Sequence, residues 1–214
     1  MNAIKNLIRG NKLFRKYHYS DFEEELNELI IHGQKPQALF IGCCDSRVTP
    51  DLMMGAKPGD LFVLRNIGNF VPPYDSKNNF PGFTSAIEYA LLVLKVSNII
   101  VCGHSHCGAC QSLHTKIPDD DNLKNIKSWL EIGEKAKDIT LKKSYQTKEE
   151  LYRATEKNSL ICQLENLMTY PLIQEQVKNN NLKLHGWYYN LTNGFIEFYD
   201  KKSQSFRDII EYED

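Results

Sequence analysis

The chain has 214 residues, 42% of them hydrophobic and 25% charged, with a formal net charge of −1. That length suits one domain with a substantial core, and the near-neutral balance excludes the strongly basic surface that attracts nucleic acid or an anionic membrane. No run approaches the ~18 consecutive apolar residues of a spanning helix, and cysteines at 43, 44, 102, 107, 110 and 162 are too unevenly placed for a secreted disulfide framework, so a soluble cytoplasmic protein with metal or thiolate chemistry is expected.

The first segment, MNAIKNLIRGNKLFRKYHYS, lacks the apolar core of a secretory signal. Its freedom from acidic residues also fits an organellar presequence, but Ile4, Leu7 and Ile8 at helical spacing read as an amphipathic arm over roughly residues 3 to 32. QALFIGC (37 to 43), DLFVLRN (60 to 66) and NIIVCGH (98 to 104) are short apolar runs that read as buried strands. Between the second and third, FTSAIEYALLVLKV (83 to 96) puts Ile87, Ala90, Leu91 and Leu94 on one helical face, which makes a crossover helix between parallel strands. CGACQSLHTK opens a helix, and the stretch from about 122 to 180 is mostly helical, with Pro118 and Pro171 as breaks. LKLHGWYYNL (182 to 191) and FIEFYD (195 to 200), separated by Thr192, Asn193 and Gly194, read as a hairpin. The expected fold is α/β: one domain over 1–214 with a central, mostly parallel sheet flanked by helices, an N-terminal helical arm (1–33) and a C-terminal hairpin closing the core (34–214).

Open α/β sheets carry their ligand site at the carboxyl ends of the strands, where CCDSR and GHSHCGAC both fall. Neighbouring strands lie ~4.8 Å apart, so strand-end side chains can converge on one atom. Cys43, His104 and Cys107 offer two thiolates and an imidazole, a set that suits zinc and leaves a fourth place open for water or a carboxylate. Two other readings stay open on spacing alone. Cys110 or Cys44 would complete a closed structural site, and Cys107-Gly-Ala-Cys110 has the C-x-x-C form of dithiol redox proteins. Asp45 and Arg47, two and four residues past the first thiolate, weigh toward catalysis, because a structural zinc needs neither; read by themselves they are a plain ion pair. His106, between two ligand candidates, is a surface histidine or a proton relay. Cys44, Cys102 and Cys162 read as buried thiols.

Cys43-x-Asp45-Ser46-Arg47 followed by His104-x-x-Cys107 resembles the paired signature of β-class carbonic anhydrases, as do PGDLFVLRNIGNFVPPYD and SAIEYALLVLKVSNIIVCGH between the motifs. The resemblance implies one zinc ion per chain on Cys43, His104 and Cys107, and reversible hydration of carbon dioxide to bicarbonate by zinc hydroxide. Asp45 and Arg47 match the family's dyad, with Asp45 becoming the fourth zinc ligand in closed forms. Gln34 matches a glutamine that bonds substrate in the plant-like subgroup, Phe62, Ile67 and Tyr89 the apolar pocket wall, and the amide of Gly108 a donor beside the metal. Phe40 stands where the bicarbonate-regulated subgroup carries tryptophan, which argues against that regulatory pocket; Arg65 does not discriminate. Cys44 and Gly68 depart from the family's commoner residues at places taken to lie away from the chemistry. Family members assemble as dimers or tetramers with the pocket completed by the neighbour. The resemblance equally admits a relative acting on another heterocumulene such as carbon disulfide, since zinc hydroxide attack there is the same chemistry.

Overall fold

The computed structural model describes residues 3–75, 77 and 80–212. Among the described residues, six strands form one sheet in the order β2-β1-β3-β4-β5-β6. These are β1 (Ala38–Cys43), β2 (Leu61–Asn66), β3 (Asn98–His104), β4 (Lys183–Tyr189), β5 (Ile196–Asp200) and β6 (Ser205–Asp208). The first four run parallel, with β1 between β2 and β3; β5 and β6 return antiparallel. All six residues of β1 are buried, as expected for a strand covered on both faces by the rest of the fold. Side-chain alternation divides its contacts. Leu39 and Ile41 join Ile99 and Val101 in the main core, while Ala38 and Phe40 join Ile100 and Cys102 on the opposite face.

Helices close the main core. The predicted crossover helix begins at Pro81 as α4 (Pro81–Glu88), numbered after α1 (Ala3–Tyr17), α2 (Glu23–His32) and α3 (Pro50–Met54). It widens into a π turn at Tyr89–Val93, closed by the Leu94 amide on the Tyr89 carbonyl at 3.0 Å. Phe83, Ile87, Ala90 and Leu91 are buried, whereas Tyr89, Leu92 and Val93 are exposed. After α5 (Gly108–Ser112), α6 (Lys124–Leu130) and α7 (Glu134–Thr140) comes α8 (Lys148–Leu167). The Thr147 hydroxyl caps α8 by accepting the Glu150 amide at 3.1 Å, and Glu149 and Glu150 complement the positive end of its dipole. Leu160, Leu164 and Leu167 of α8 and Ile173 of α9 (Pro171–Lys178) then pack on the sheet.

The hairpin expected over 182 to 200 is present as β4 and β5, with a positive φ of 79° at Gly194. It is built into the parallel sheet through β4, and β6 extends it by a strand that the sequence pattern did not disclose. The arm consists of α1 and α2, neither of which buries a residue. α2 fastens it to the core: Leu29 packs close above Gly59 and Glu25 lies 3.8 Å from Lys57 Nζ. No helix of the described residues is long and apolar enough to cross a membrane.

Candidate metal centre

β1 and β3 are parallel neighbours, so their carboxyl ends meet. Gly42 pairs with Cys102, which puts Cys43 and His104 at the carboxyl end of two adjacent interior strands. Cys107 follows a turn at His106, whose φ is +59°, and is the residue immediately before α5. The ligand atoms of Cys43, His104 and Cys107 lie within 4.8 Å of one another, and all three residues are buried. Phe70, Ala109, Leu113 and Leu130 wall the cluster with apolar surface.

His104 Nδ1 lies 2.9 Å from the Ser105 carbonyl oxygen. A carbonyl only accepts, so Nδ1 carries the proton and Nε2 the lone pair. That Nε2 is buried without a hydrogen-bond partner among the described residues, an arrangement that is costly unless something else is bound there. Two sulfurs and one free imidazole nitrogen, converging in an apolar wall, fit a zinc ion. Cys43 Sγ also accepts the amides of Asp45 and Gly68, each at 3.4 Å, which favours negative charge on sulfur. Gly68, taken from sequence to lie away from the chemistry, therefore touches it. Its φ is +76°, and an added Cβ would stand 2.8 Å from the Ala109 Cβ, so glycine is what lets this amide approach. Without a cation both thiols hold their protons. The hydrogen bond with Cys107, then burial, pushes Cys43 up to about 12, and Cys107 is raised by its hydrogen bond with Cys110 and by burial.

Asp45 is not part of the cluster of close ligand atoms, and neither is Cys110. The Asp45 carboxylate is engaged by Arg47, with Nε on Oδ1 at 2.9 Å, Nη2 on Oδ2 at 2.7 Å and the Arg47 amide on Oδ1 at 3.0 Å. This grip holds the Asp45 carboxyl well below the usual carboxylate range. Arg47 Nη2 also donates to the His106 carbonyl at 3.1 Å. Arg65, reaching across from β2, donates to the carbonyls of Cys43 and Asp45 at 2.9 and 2.8 Å. Both motif loops are thus fixed by guanidinium groups.

The other residues singled out from sequence are more widely spread. Gly108 opens α5, is exposed, and faces open space where a Cβ would be. Ile67, 44% exposed, follows β2 beside the cluster, its carbonyl held by Trp129 Nε1 at 2.7 Å. Phe62 and Tyr89 stack at 5.8 Å between ring centroids, but Phe62 pairs with Leu39, four positions before Cys43 in β1. Gln34 is exposed and precedes β1. The structure therefore gathers Ile67 and Gly108 near the cluster and leaves Gln34, Phe62 and Tyr89 toward the other end of the strands.

Cys102 and Cys162 are buried, as expected, but Cys44 is exposed. β1 ends at Cys43, and the Cys44 amide turns to the Asn66 carbonyl at 2.7 Å, so strand alternation no longer carries its side chain into the core. Sequence reasoning also missed Glu156 of α8. Only 2% exposed, its Oε1 accepts the Cys107 amide at 2.9 Å and pairs with Arg153 Nη2 at 2.9 Å, and its Oε2 accepts the Tyr188 hydroxyl at 2.8 Å. Burial pushes this carboxyl up to about 7, against the pull of those donors.

The carbonic anhydrase family model matches residues 38–196. A carbonic anhydrase of Synechocystis sp. is 40% identical over 198 residues, spanning 92% of this chain and 71% of that protein. The solved β-carbonic anhydrase CcaA superposes with a TM-score of 0.89 at 38% identity, over 96% of this chain and 91% of that one. A structure among two tetrameric β-carbonic anhydrases from Sordaria macrospora gives a TM-score of 0.81 at 28% identity, over 92% and 97% of the chains.

Proposed function

The chain belongs to the carbonic anhydrase family, in its β class, and on that premise we propose that Cys43, His104 and Cys107 hold its zinc and that Asp45 and Arg47 govern what the zinc accepts. The activity is the reversible, zinc-dependent hydration of carbon dioxide to bicarbonate and a proton. Zinc held there would lower the pKa of water to about 7 and so supply hydroxide near neutrality.

The chain's own residues do the rest. Locked by three hydrogen bonds to Arg47, Asp45 stays ionised and can only accept, so beside the centre it would favour a molecule that presents a hydrogen over one that does not. Arg47 occupies both carboxylate oxygens, so Asp45 could join Cys43, His104 and Cys107 as a further metal ligand only if this pair parted. Ile67 supplies apolar wall for a small unpolarised substrate, and Gly108, which opens α5 next to Cys107 and leaves open space where a Cβ would stand, lets a small molecule approach and offers its amide as a donor to a developing oxyanion. Gln34, Phe62 and Tyr89 serve the centre of a second copy, because within one protomer they lie along the strands from Cys43. A dimer, or a tetramer like that named for the Sordaria enzymes, is the working unit. Cytoplasmic residence goes with this reading, because thiolate ligands have to stay reduced to hold zinc and a reducing compartment keeps them so.

The observation that carries the site assignment is the buried, unpartnered His104 Nε2 facing two thiols beside a carboxylate already taken by arginine. A closed structural site would need Cys110 or Cys44 among the close ligand atoms; neither belongs to that cluster, and Cys44 is exposed. Stopped-flow hydration with a pH indicator, on zinc-quantified protein at about pH 7 and about pH 8.5, tests the reading. Fast acidification is expected; zinc-loaded protein silent at both pH values would sink it.

A further inference from the structure

The peptide bond joining His106 to Cys107 is held from both sides. A trans peptide points its carbonyl and its amide hydrogen in opposite directions. Here the His106 carbonyl accepts Arg47 Nη2 at 3.1 Å while the Cys107 amide donates to Glu156 Oε1 at 2.9 Å. One grip comes from the solvent side, where the Arg47 side chain is 54% exposed, and the other from the core. What orients the peptide this way is the left-handed backbone of His106, φ +59°, a conformation that Asn and His tolerate and β-branched residues resist. Glu156 is itself fixed by Arg153 Nη2 at 2.9 Å and the Tyr188 hydroxyl at 2.8 Å.

We propose that Glu156 is a positioning residue for the zinc centre, acting through the 106–107 peptide to set Cys107 on one side and the Arg47–Asp45 pair on the other. The proposal rests on the reading of Cys107 as a zinc ligand and of Asp45 with Arg47 as its gate. The chain of contacts is continuous, running from Glu156 Oε1 to the Cys107 amide, through the peptide to the His106 carbonyl, to Arg47 and to both oxygens of Asp45. Hydrogen bonds in such a series polarise one another. Rotation of this single peptide breaks both grips at once, so the ligand sulfur and the gate move together.

The alternative role for Glu156 is to tie α8 to β4 through Tyr188, and backbone-selective substitutions separate the two. Full-length zinc protein and its Glu156→Ala, Glu156→Gln, His106→Asn and His106→Val variants are compared by competition for zinc with a chromophoric chelator, and by carbon dioxide hydration. We expect Glu156→Ala to bind zinc about 10 to 100 times more weakly, and Glu156→Gln, which keeps an acceptor for the Cys107 amide, to recover at least about half of that loss on a logarithmic scale. His106→Asn keeps the left-handed turn and stays within about twofold of the parent, whereas His106→Val loses about tenfold or more in zinc affinity and in kcat. Unchanged zinc affinity in Glu156→Ala, or Glu156→Gln no better than Glu156→Ala, overturns the proposal. So does His106→Asn falling as far as His106→Val, since the imidazole and not the backbone would then be what matters. Should Glu156→Ala not fold, the His106 pair decides alone. A parent protein that binds zinc but hydrates no carbon dioxide would remove the functional reading and leave the zinc affinities to judge the positioning.

Discussion

Asp45 accepts every hydrogen bond it receives at its carboxylate from one neighbour, Arg47, and that economy makes it a sharp test. Asp45→Asn keeps the shape but turns half of the acceptor into a donor. Hydration should fall by at least about 100-fold while zinc stays at one per chain, read by metal analysis beside stopped-flow; an active Asn variant would mean that Asp45 does not gate the centre. The thiols give a pH prediction. Both Cys43 and Cys107 are raised in the metal-free protein, so zinc must displace two protons, and higher pH, by removing them, strengthens binding. Apparent zinc affinity should climb on the order of 100-fold per pH unit around neutrality; a pH-independent affinity would show that the sulfurs are not the ligands. The five residues Cys43, Asp45, Arg47, His104 and Cys107 were legible because two tight motifs hold them at strand ends. Gly68 and Glu156 were not, because what matters in them is an amide and a carboxylate delivered from distant parts of the chain, 25 and 49 residues from the sulfur or amide they meet. Cys44 was misplaced because alternation was carried one residue past the end of β1.

The bounds of elements with an uninterrupted apolar run were read almost to the residue, since β1, β2 and β3 are each a short hydrophobic stretch ending in small or polar residues; β2 was expected to be buried but is half-buried to exposed, because it is the end strand of the sheet. β6 escaped because Ser205–Asp208 is a four-residue edge strand of exposed and half-buried positions, stabilised by its pairing with β5 and not by burial of its own. The buried stripe of α8 is equally opaque, as Thr155, Glu156, Ser159 and Gln163 lie in it beside three leucines. Polar residues enter there because they have partners: Gln163 Oε1 accepts the Val71 amide at 2.7 Å. How closely α8 sits on the sheet depends on Gly186 of β4, where an added Cβ would collide with Leu160 and lie 2.8 Å from Leu164 Cδ1. Gly186→Ala should therefore cost about 1–3 kcal/mol by overpacking, measured by denaturant unfolding, and because Glu156 rides on the same helix it should weaken zinc binding as well. Full stability in this variant would mean that α8 can move away from β4 freely.

At the scale of the molecule, the arm and the pocket pose the same question. α1 exposes Ile4, Leu7, Ile8 and Phe14 at 61%, 70%, 52% and 40%, along one face of a helix that buries nothing in its own protomer. Apolar surface of this size on one stripe marks an interface. The candidate pocket residues are displaced in the same sense: from Phe62 to the level of Cys43 is four positions of strand, roughly 13 Å at the rise of a parallel strand, and Gln34 lies before β1 begins. On the proposed reading a lone protomer has its metal centre apart from three of the wall residues, and an arm whose α1 stripe stays exposed. If one association satisfies both, then Leu7→Asp combined with Phe14→Asp, which puts two charges into the stripe, should give a smaller species by sedimentation velocity. It should retain zinc, because Cys43, His104 and Cys107 come from one chain, and lose hydratase activity per zinc, with KM and kcat both affected as the wall and the glutamine are withdrawn. The two readouts must move together: a monomer as active as the parent would place Gln34, Phe62 and Tyr89 outside the reaction, whereas an unaltered assembly would show that the α1 stripe is not what joins the copies.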